Sequence, residues 1–490
     1  MCRVLRHRFR RTTLHLWLFL SLLGGLGLAR VGSEPVMVLC LLTLPFLVVV
    51  WRQRRLATLG LVILFGLLAG WYRGTMYLHR LAEYEPLYYQ KVTITARASE
   101  DAIYGKTKQL SFAAGNIKLE NGRRLAGKIQ LSGFGVNAVF QDDEIVATGK
   151  LYPGYGAYQG RISFAVLEVP AYHPSLIPEI RRRFVAGAQT ALPEPLAPFV
   201  MGLLVGQRAN LPQSTKDDLQ KVGLTHIIAV SGANLTIILQ AMRQLLGKRS
   251  KRISTFLTLG LMGVFLILAG ASASIVRAAM VSLLSIATSY YGRGFRPLNL
   301  IALAAVLTAC ANPVYLWSDL GWWLSFLAFF GVMVLSPLIQ ARWPGRWHKT
   351  VIGGVALESI CAEVMALPFV LHIFGQMSRV GLLANVLVVS LIPLAMLLGT
   401  IAGLAGMLAG AVSGWFAWPA YIVLNYMLDV AHILANRPNI FAEDIGFSLW
   451  QMLAFYVCIS IFIATLWYKN TDRSVMITEI NQHKGRGLTA

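Results

Sequence analysis

The chain has 490 residues, of which 56% are hydrophobic and only 13% charged, with a mean hydropathy of +0.59. That balance excludes an ordinary water-soluble protein and points to a polytopic α-helical membrane protein. Lys and Arg number 44 against 22 acidic residues, a net charge of +22, which suits anionic lipid, basic cytoplasmic loops or a polyanionic substrate.

About 20 apolar residues cross a hydrocarbon core, and residues 1–75 hold three such runs, at about 13–29, 36–51 and 56–72. The first follows Arg3, Arg6, Arg8, Arg10 and Arg11 and resembles a signal peptide, but no small-x-small cleavage site precedes a soluble domain, so it reads as a retained anchor. Basic loops stay inside, which places this start and Arg52, Arg54 and Arg55 in the cytoplasm. The third span then exits, and 88–170, the one long stretch of soluble composition, is expected to be extracytoplasmic. Its alternation at Val92–Ala96, Ile117–Glu120, Ile129–Leu131 and Arg161–Phe164 has the period of half-buried strands, and Asn121-Gly122 suits a two-residue hairpin turn. About five such strands fit a small OB-like β-barrel. A small sandwich is the alternative.

Residues 178–221 change to helical periodicity broken by Pro193, Pro195, Pro198 and Pro212, and are expected to form amphipathic helices along the outer surface. A bundle at 222–468 follows, with apolar runs at about 222–246, 253–270, 274–291, 297–311, 321–340, 350–374, 380–410, 414–435 and 448–468. If each crosses once, the basic groups at Lys248–Arg252, Arg293/Arg296, Arg342–Lys349 and the 469–490 tail all fall inside, and Glu443 with Asp444 falls outside. The expectation is roughly twelve spans with both termini cytoplasmic. The 380–410 run is alternatively a broken pair around Pro393.

Ionisable groups at membrane depth are costly and mark partners or wet paths. Arg277, Glu358 and Glu363 lie inside apolar runs, and His226, Asp429 and His432 near the ends of theirs. Arg277 facing the two glutamates is open to two readings, a structural ion pair or the lining of a wet path. For Asp319, Asp429, His432 and His372, near interfaces, solvation is the simpler account. Glycines at Gly66/Gly70/Gly74, Gly399/Gly403 and Gly406/Gly410 suit close helix packing, and Trp322-Trp323 and Trp415/Trp418 suit interfacial belts.

Several chemistries are not indicated. Cys2, Cys40, Cys310, Cys361 and Cys458 are scattered, giving neither a disulfide framework nor a zinc site. Gly105-Lys106-Thr107 ends like a phosphate loop, but Glu100 stands where the first glycine belongs. HExxH and CxxC patterns are absent from the sequence, and neither a cofactor nor enzymatic activity is expected.

The stretch Leu203-Leu204-Val205-Gly206-Gln207-Arg208, with Val222-Gly223-Leu224-Thr225-His226-Ile227-Ile228-Ala229-Val230-Ser231-Gly232, resembles the signature of the ComEC competence family, integral membrane proteins of bacterial DNA uptake. Ala273 to Met280 around Arg277 resembles the family's small-residue and arginine motif. Leu300 to Leu335, with Asn312-Pro313 and Leu324-Ser325-Phe326-Leu327, and Phe374 to Asn385 resemble its later blocks, in the family's order.

The resemblance implies an inner-membrane channel conducting single-stranded DNA during natural transformation, its β domain outside. His226, Ser231, Gly232, Asn234, Arg277, Ser325, Glu358, Glu363 and Asn385 are then the candidate path residues, with Ser231-Gly232 equally open to being a helix break. It also implies membrane lipid, a separate DNA receptor, a helicase-like cytoplasmic motor and, with the chain ending soon after its last run, a nuclease supplied elsewhere. Homo-oligomerisation is compatible. Two departures stand out: Ala233-Asn234 replaces a more usual Leu-His after Ser231-Gly232, and Gly321-Trp322-Trp323-Leu324 replaces a series with glutamine. Competing readings are a small-solute or lipid-linked exporter with Arg277 and a glutamate as a switchable pair, and a membrane-anchored assembly scaffold.

Overall fold

A computed structural model describes residues 9–31, 55–99, 102–104, 109–136, 139–140, 143–170, 176–206, 211–228, 235, 239, 250–269, 273–291, 296–342 and 351–486. The expected second span, Gly105-Lys106-Thr107, and Ser231, Gly232 and Asn234 lie outside these. The chain forms two compact units, one of Met1–Pro212, His226–Trp323 and Pro393–Leu424, the other of Gln213–Thr225, Leu324–Ile392 and Asn425–Ala490.

Among the described residues, five helices are long and apolar enough to cross a membrane, within Leu56–Leu87, Leu320–Gln340, Ala356–Phe374, Ile392–Ala409 and Leu449–Tyr468. Shorter apolar helices lie at Leu196–Val205, Ser274–Thr288 and Pro297–Ala311. Their outward faces carry large apolar side chains, Leu408 at 80% and Trp450 at 79% exposure among them, as lipid-facing helices do.

In the first unit the Arg11–Leu28 helix lies parallel to Leu56–Ala82. Glycine makes the approach: a Cβ on Gly70 would fall 2.1 Å from the Leu22 carbonyl oxygen, and one on Gly25 2.0 Å from that of Leu67. Backbones this close gain dispersion that no larger residue permits. The first helix is also tied at both ends, Asn299 Nδ2 donating to Thr12 O at 2.8 Å and Trp317 Nε1 to Leu26 O at 2.9 Å.

The 88–170 region is a closed barrel, which decides against the sandwich. Its strands are β1 (Lys91–Ala98), β2 (Ile103–Tyr104), β3 (Leu110–Leu119), β4 (Arg124–Leu125), β5 (Ile129–Phe134), β6 (Glu144–Pro153) and β7 (Gly160–Glu168). The five long strands run in the order β1-β6-β7-β5-β3, and β3 closes the ring on β1. Every neighbour is antiparallel except β5 and β7, which are parallel. Inward residues such as Ile94, Phe112, Leu131, Ile145 and Ile162 fill the interior. A hairpin turn does sit at Asn121-Gly122, but its loop has three residues, Glu120–Gly122, not the expected two: Leu119 pairs with Arg123, and Gly122 takes φ +80°.

Of the helices at 178–221, one departs from the expected surface arrangement. Leu196–Val205 is buried along its whole length because it is apolar on every side. Gln213–Lys221 is polar and buries only Leu219. Leu176–Ala191 packs closely on Ile392–Ala409, where a Cβ on Gly403 would meet the Phe184 ring at 2.6 Å.

In the second unit the Val351–Phe374 helix passes against Gly331, whose Cβ would fall 2.4 Å from Cys361 O. Among the described residues, two π-helical turns interrupt helices, at Gly331–Leu335 and Asn385–Val389. The 380–410 run is broken, as its alternative reading had it: Gly381–Ala384, the π turn, then Ile392–Ala409. A small sheet pairs Met377–Ser378 with Phe441–Ala442.

Candidate functional site

A buried polar group is built on two helices, Ala273–Tyr290 and Leu320–Phe330. Arg277 sits on the Ala273–Tyr290 helix and is only 3% exposed. Its Nη1 lies 3.5 Å from Asp319 Oδ2, and its Nη2 donates to Gly321 O at 3.0 Å. Asp319 immediately precedes the Leu320–Phe330 helix, and its Oδ1 accepts the Gly321 N–H at 2.9 Å, the work of an N-cap. One carboxylate therefore caps a helix and neutralises a buried guanidinium.

This corrects the expected pairing of Arg277 with Glu358 or Glu363. Glu363 instead accepts from Asn385 Nδ2 at 3.5 Å, and Asn385, 8% exposed, opens the second π turn. Glu358 is half-buried on the same helix as Glu363. Asp319 was the residue that sequence reasoning undervalued. Its signal was local, an aspartate directly before Leu320-Gly321-Trp322 at a helix start.

The other candidates separate. His226, on the short Thr225–Ile228 helix, is exposed, and Ser325 is half-buried. Trp322 is no interfacial belt residue: it is 3% exposed, and its Nε1 donates to Thr308 Oγ1 at 3.0 Å. His432 Nδ1 meets Asp218 Oδ2 at 2.7 Å, and His372 Nδ1 meets Phe447 O at 2.9 Å. Among the described residues there is no cluster of His, Cys, Asp and Glu fit to hold a metal.

The barrel joins its span through hydrogen bonds that sequence did not reveal. Gln159, 4% exposed, donates from Nε2 to Tyr77 Oη at 3.0 Å and accepts the Lys128 N–H at Oε1. Tyr88 Oη donates to Gln159 O at 3.2 Å, and Tyr84 Oη to Ala126 O at 2.7 Å. Burial pushes the Tyr88 hydroxyl above its ordinary pKa.

These features define a helical membrane protein that carries a small β-barrel. A family model described as competence protein matches residues 203–469, more than half of the chain, and the chain belongs to that family. It is 27% identical over 272 residues to ComE operon protein 3 of Bacillus subtilis (strain 168), a match covering 53% of this chain and 34% of the relative. The aligned part thus spans about a third of that relative's length. No solved structure matches.

Proposed function

We propose that the protein conducts single-stranded DNA across the bacterial cytoplasmic membrane during natural transformation, as a channel without enzymatic activity. The observation that carries this reading is the competence-family match over 203–469, which contains the Arg277 cluster and both π turns. The barrel adds support. Its closed ring of five long strands, with one parallel pair between the third and fifth, supports an OB-type reading, and OB barrels are a common platform for single strands.

In this reading roughly twelve spans carry the chain, both termini are cytoplasmic and the barrel is extracytoplasmic. His226, Ser231, Gly232, Asn234, Arg277, Ser325, Glu358, Glu363 and Asn385 belong to the path. As found, Arg277 is neutralised by Asp319, so it meets a phosphate only by exchanging one anion for another. Charge-assisted hydrogen bonds favour a bidentate guanidinium–phosphate contact in that exchange. A receptor and a cytoplasmic motor are separate proteins, and the channel is compatible with a homo-oligomer.

The test is capture of DNA in transit. A photo-crosslinking amino acid in place of Ser325 is expected to trap labelled transforming DNA during uptake, whereas one in place of outward Trp450 is not. Equal capture at both positions, or none at Ser325, contradicts the reading.

A further inference from the structure

On the barrel wall nearest its span, aromatic and basic residues interleave. Lys150 Nζ lies over the rings of Tyr89 and Tyr152, at 5.9 and 5.8 Å, and the Arg161 guanidinium over those of Tyr152 and Tyr155, at 5.6 and 5.7 Å. Lys91 is the cross-strand partner of Lys150, a like-charge pair that costs stability unless an anion sits near it. Among the described residues, Lys91, Lys150 and Arg161 have no carboxylate partner, while the acids of these strands, Glu144 and Glu168, stand at the other end of the ladder. Tyr89 is 61% exposed and holds φ +66°, and Tyr155 is 59% exposed. A bulky residue in the left-handed region is strained, yet this ring is left in solvent.

The depth of this cluster follows from the helix below it. About 20 residues counted from Leu56 bring the chain to the edge of the hydrocarbon near Tyr77. Gln159 is hydrogen-bonded to Tyr77 and ends the Gly154–Gln159 segment that carries Tyr155. The cluster therefore lies at the level of lipid headgroups, where tyrosine and basic side chains are favoured.

We infer that Tyr89, Lys91, Lys150, Tyr152, Tyr155 and Arg161 form a seat for anionic phospholipid headgroups, which fixes the barrel against the membrane surface. Nucleobase stacking is the less favoured occupant because cations already cover the ring faces a base would need. The inference rests on the membrane span and the cluster, not on the DNA-channel reading.

The test uses the full chain in liposomes, with a fluorescent amino acid in place of Tyr155 and nitroxides on the lipid headgroups. Each basic residue near an anionic surface strengthens attraction about fivefold, so quenching should be markedly stronger in anionic than in zwitterionic liposomes. The combined Lys91→Gln, Lys150→Gln and Arg161→Gln variant should lose that difference, and Lys91→Arg, Lys150→Arg with Arg161→Lys should keep it. Absent quenching, equal quenching in both lipids, or relief of quenching by a 30-residue oligothymidylate overturns the inference, the last by giving the cluster to nucleic acid.

Discussion

Arg277 Nη1 stands 3.5 Å from Asp319 Oδ2, inside a bundle where the arginine is almost wholly buried and the aspartate holds the start of the next helix. Each group satisfies the other, and removal of one leaves a charge without its counterion in a medium of low dielectric. Breaking such a pair costs about 3–5 kcal/mol, whereas replacing both partners with apolar groups is far milder. Arg277→Gln is therefore expected to lower the unfolding midpoint of the purified protein in detergent steeply. Arg277→Leu combined with Asp319→Leu should recover part of that loss, less the helix cap, worth about 1 kcal/mol.

The proposed exchange of Asp319 for phosphate separates charge from capping. At comparable membrane abundance, Asp319→Asn, which costs stability as loss of the counterion must but keeps an oxygen for the Gly321 N–H and removes the competing charge, should retain DNA uptake, while Arg277→Gln should abolish it. Uptake lost equally in both variants would make the pair a structural device only.

Gln159 locks the barrel to its span through Tyr77 and the Lys128 amide. Gln159→Ala leaves both buried partners unsatisfied, at about 1–3 kcal/mol for such groups. Hydrogen exchange at the Lys128 amide should accelerate, while amides in the middle of β1 and β6 keep their protection.

Gly70 marks the crossing of the parallel pair Arg11–Leu28 and Leu56–Ala82. Gly70→Ala places a methyl against the Leu22 carbonyl and should destabilise by about 1–3 kcal/mol through forced separation. Gly60→Ala, on the same helix but with open space at its Cβ position, should be neutral or slightly stabilising. Thermal unfolding of the two variants side by side checks the contrast.

How much of this was legible in the sequence varies with the range of the interactions involved. Helix positions such as 297–311 followed from apolar runs, and the Asn121-Gly122 turn from its own chemistry, because both are local properties. Strand β6 escaped notice although Ile145, Ala147 and Leu151 alternate, since Gly149 interrupts the pattern. That glycine is needed where β7 bulges: a Cβ there would meet Ile162 at 2.5 Å. The burial of Leu196–Val205 was misread because prolines around and within it suggested a surface path. Partner choice was the least legible: Arg277 had two glutamates at membrane depth to choose from, and only the fold brings Asp319 to it. The Gln159–Tyr77 bond joins residues 82 positions apart and has no sequence signal at all.

The central claim is that this chain carries DNA across the cytoplasmic membrane, and the most direct test deletes it from a competent host and follows labelled DNA in two compartments. Surface-bound, nuclease-sensitive label and cytoplasmic, protected label are scored separately. The account predicts that surface binding persists, protected DNA disappears, and the wild-type chain restores it while Arg277→Gln, present at equal abundance, does not. Protected DNA accumulating at the normal rate in the deletion strain would contradict the claim.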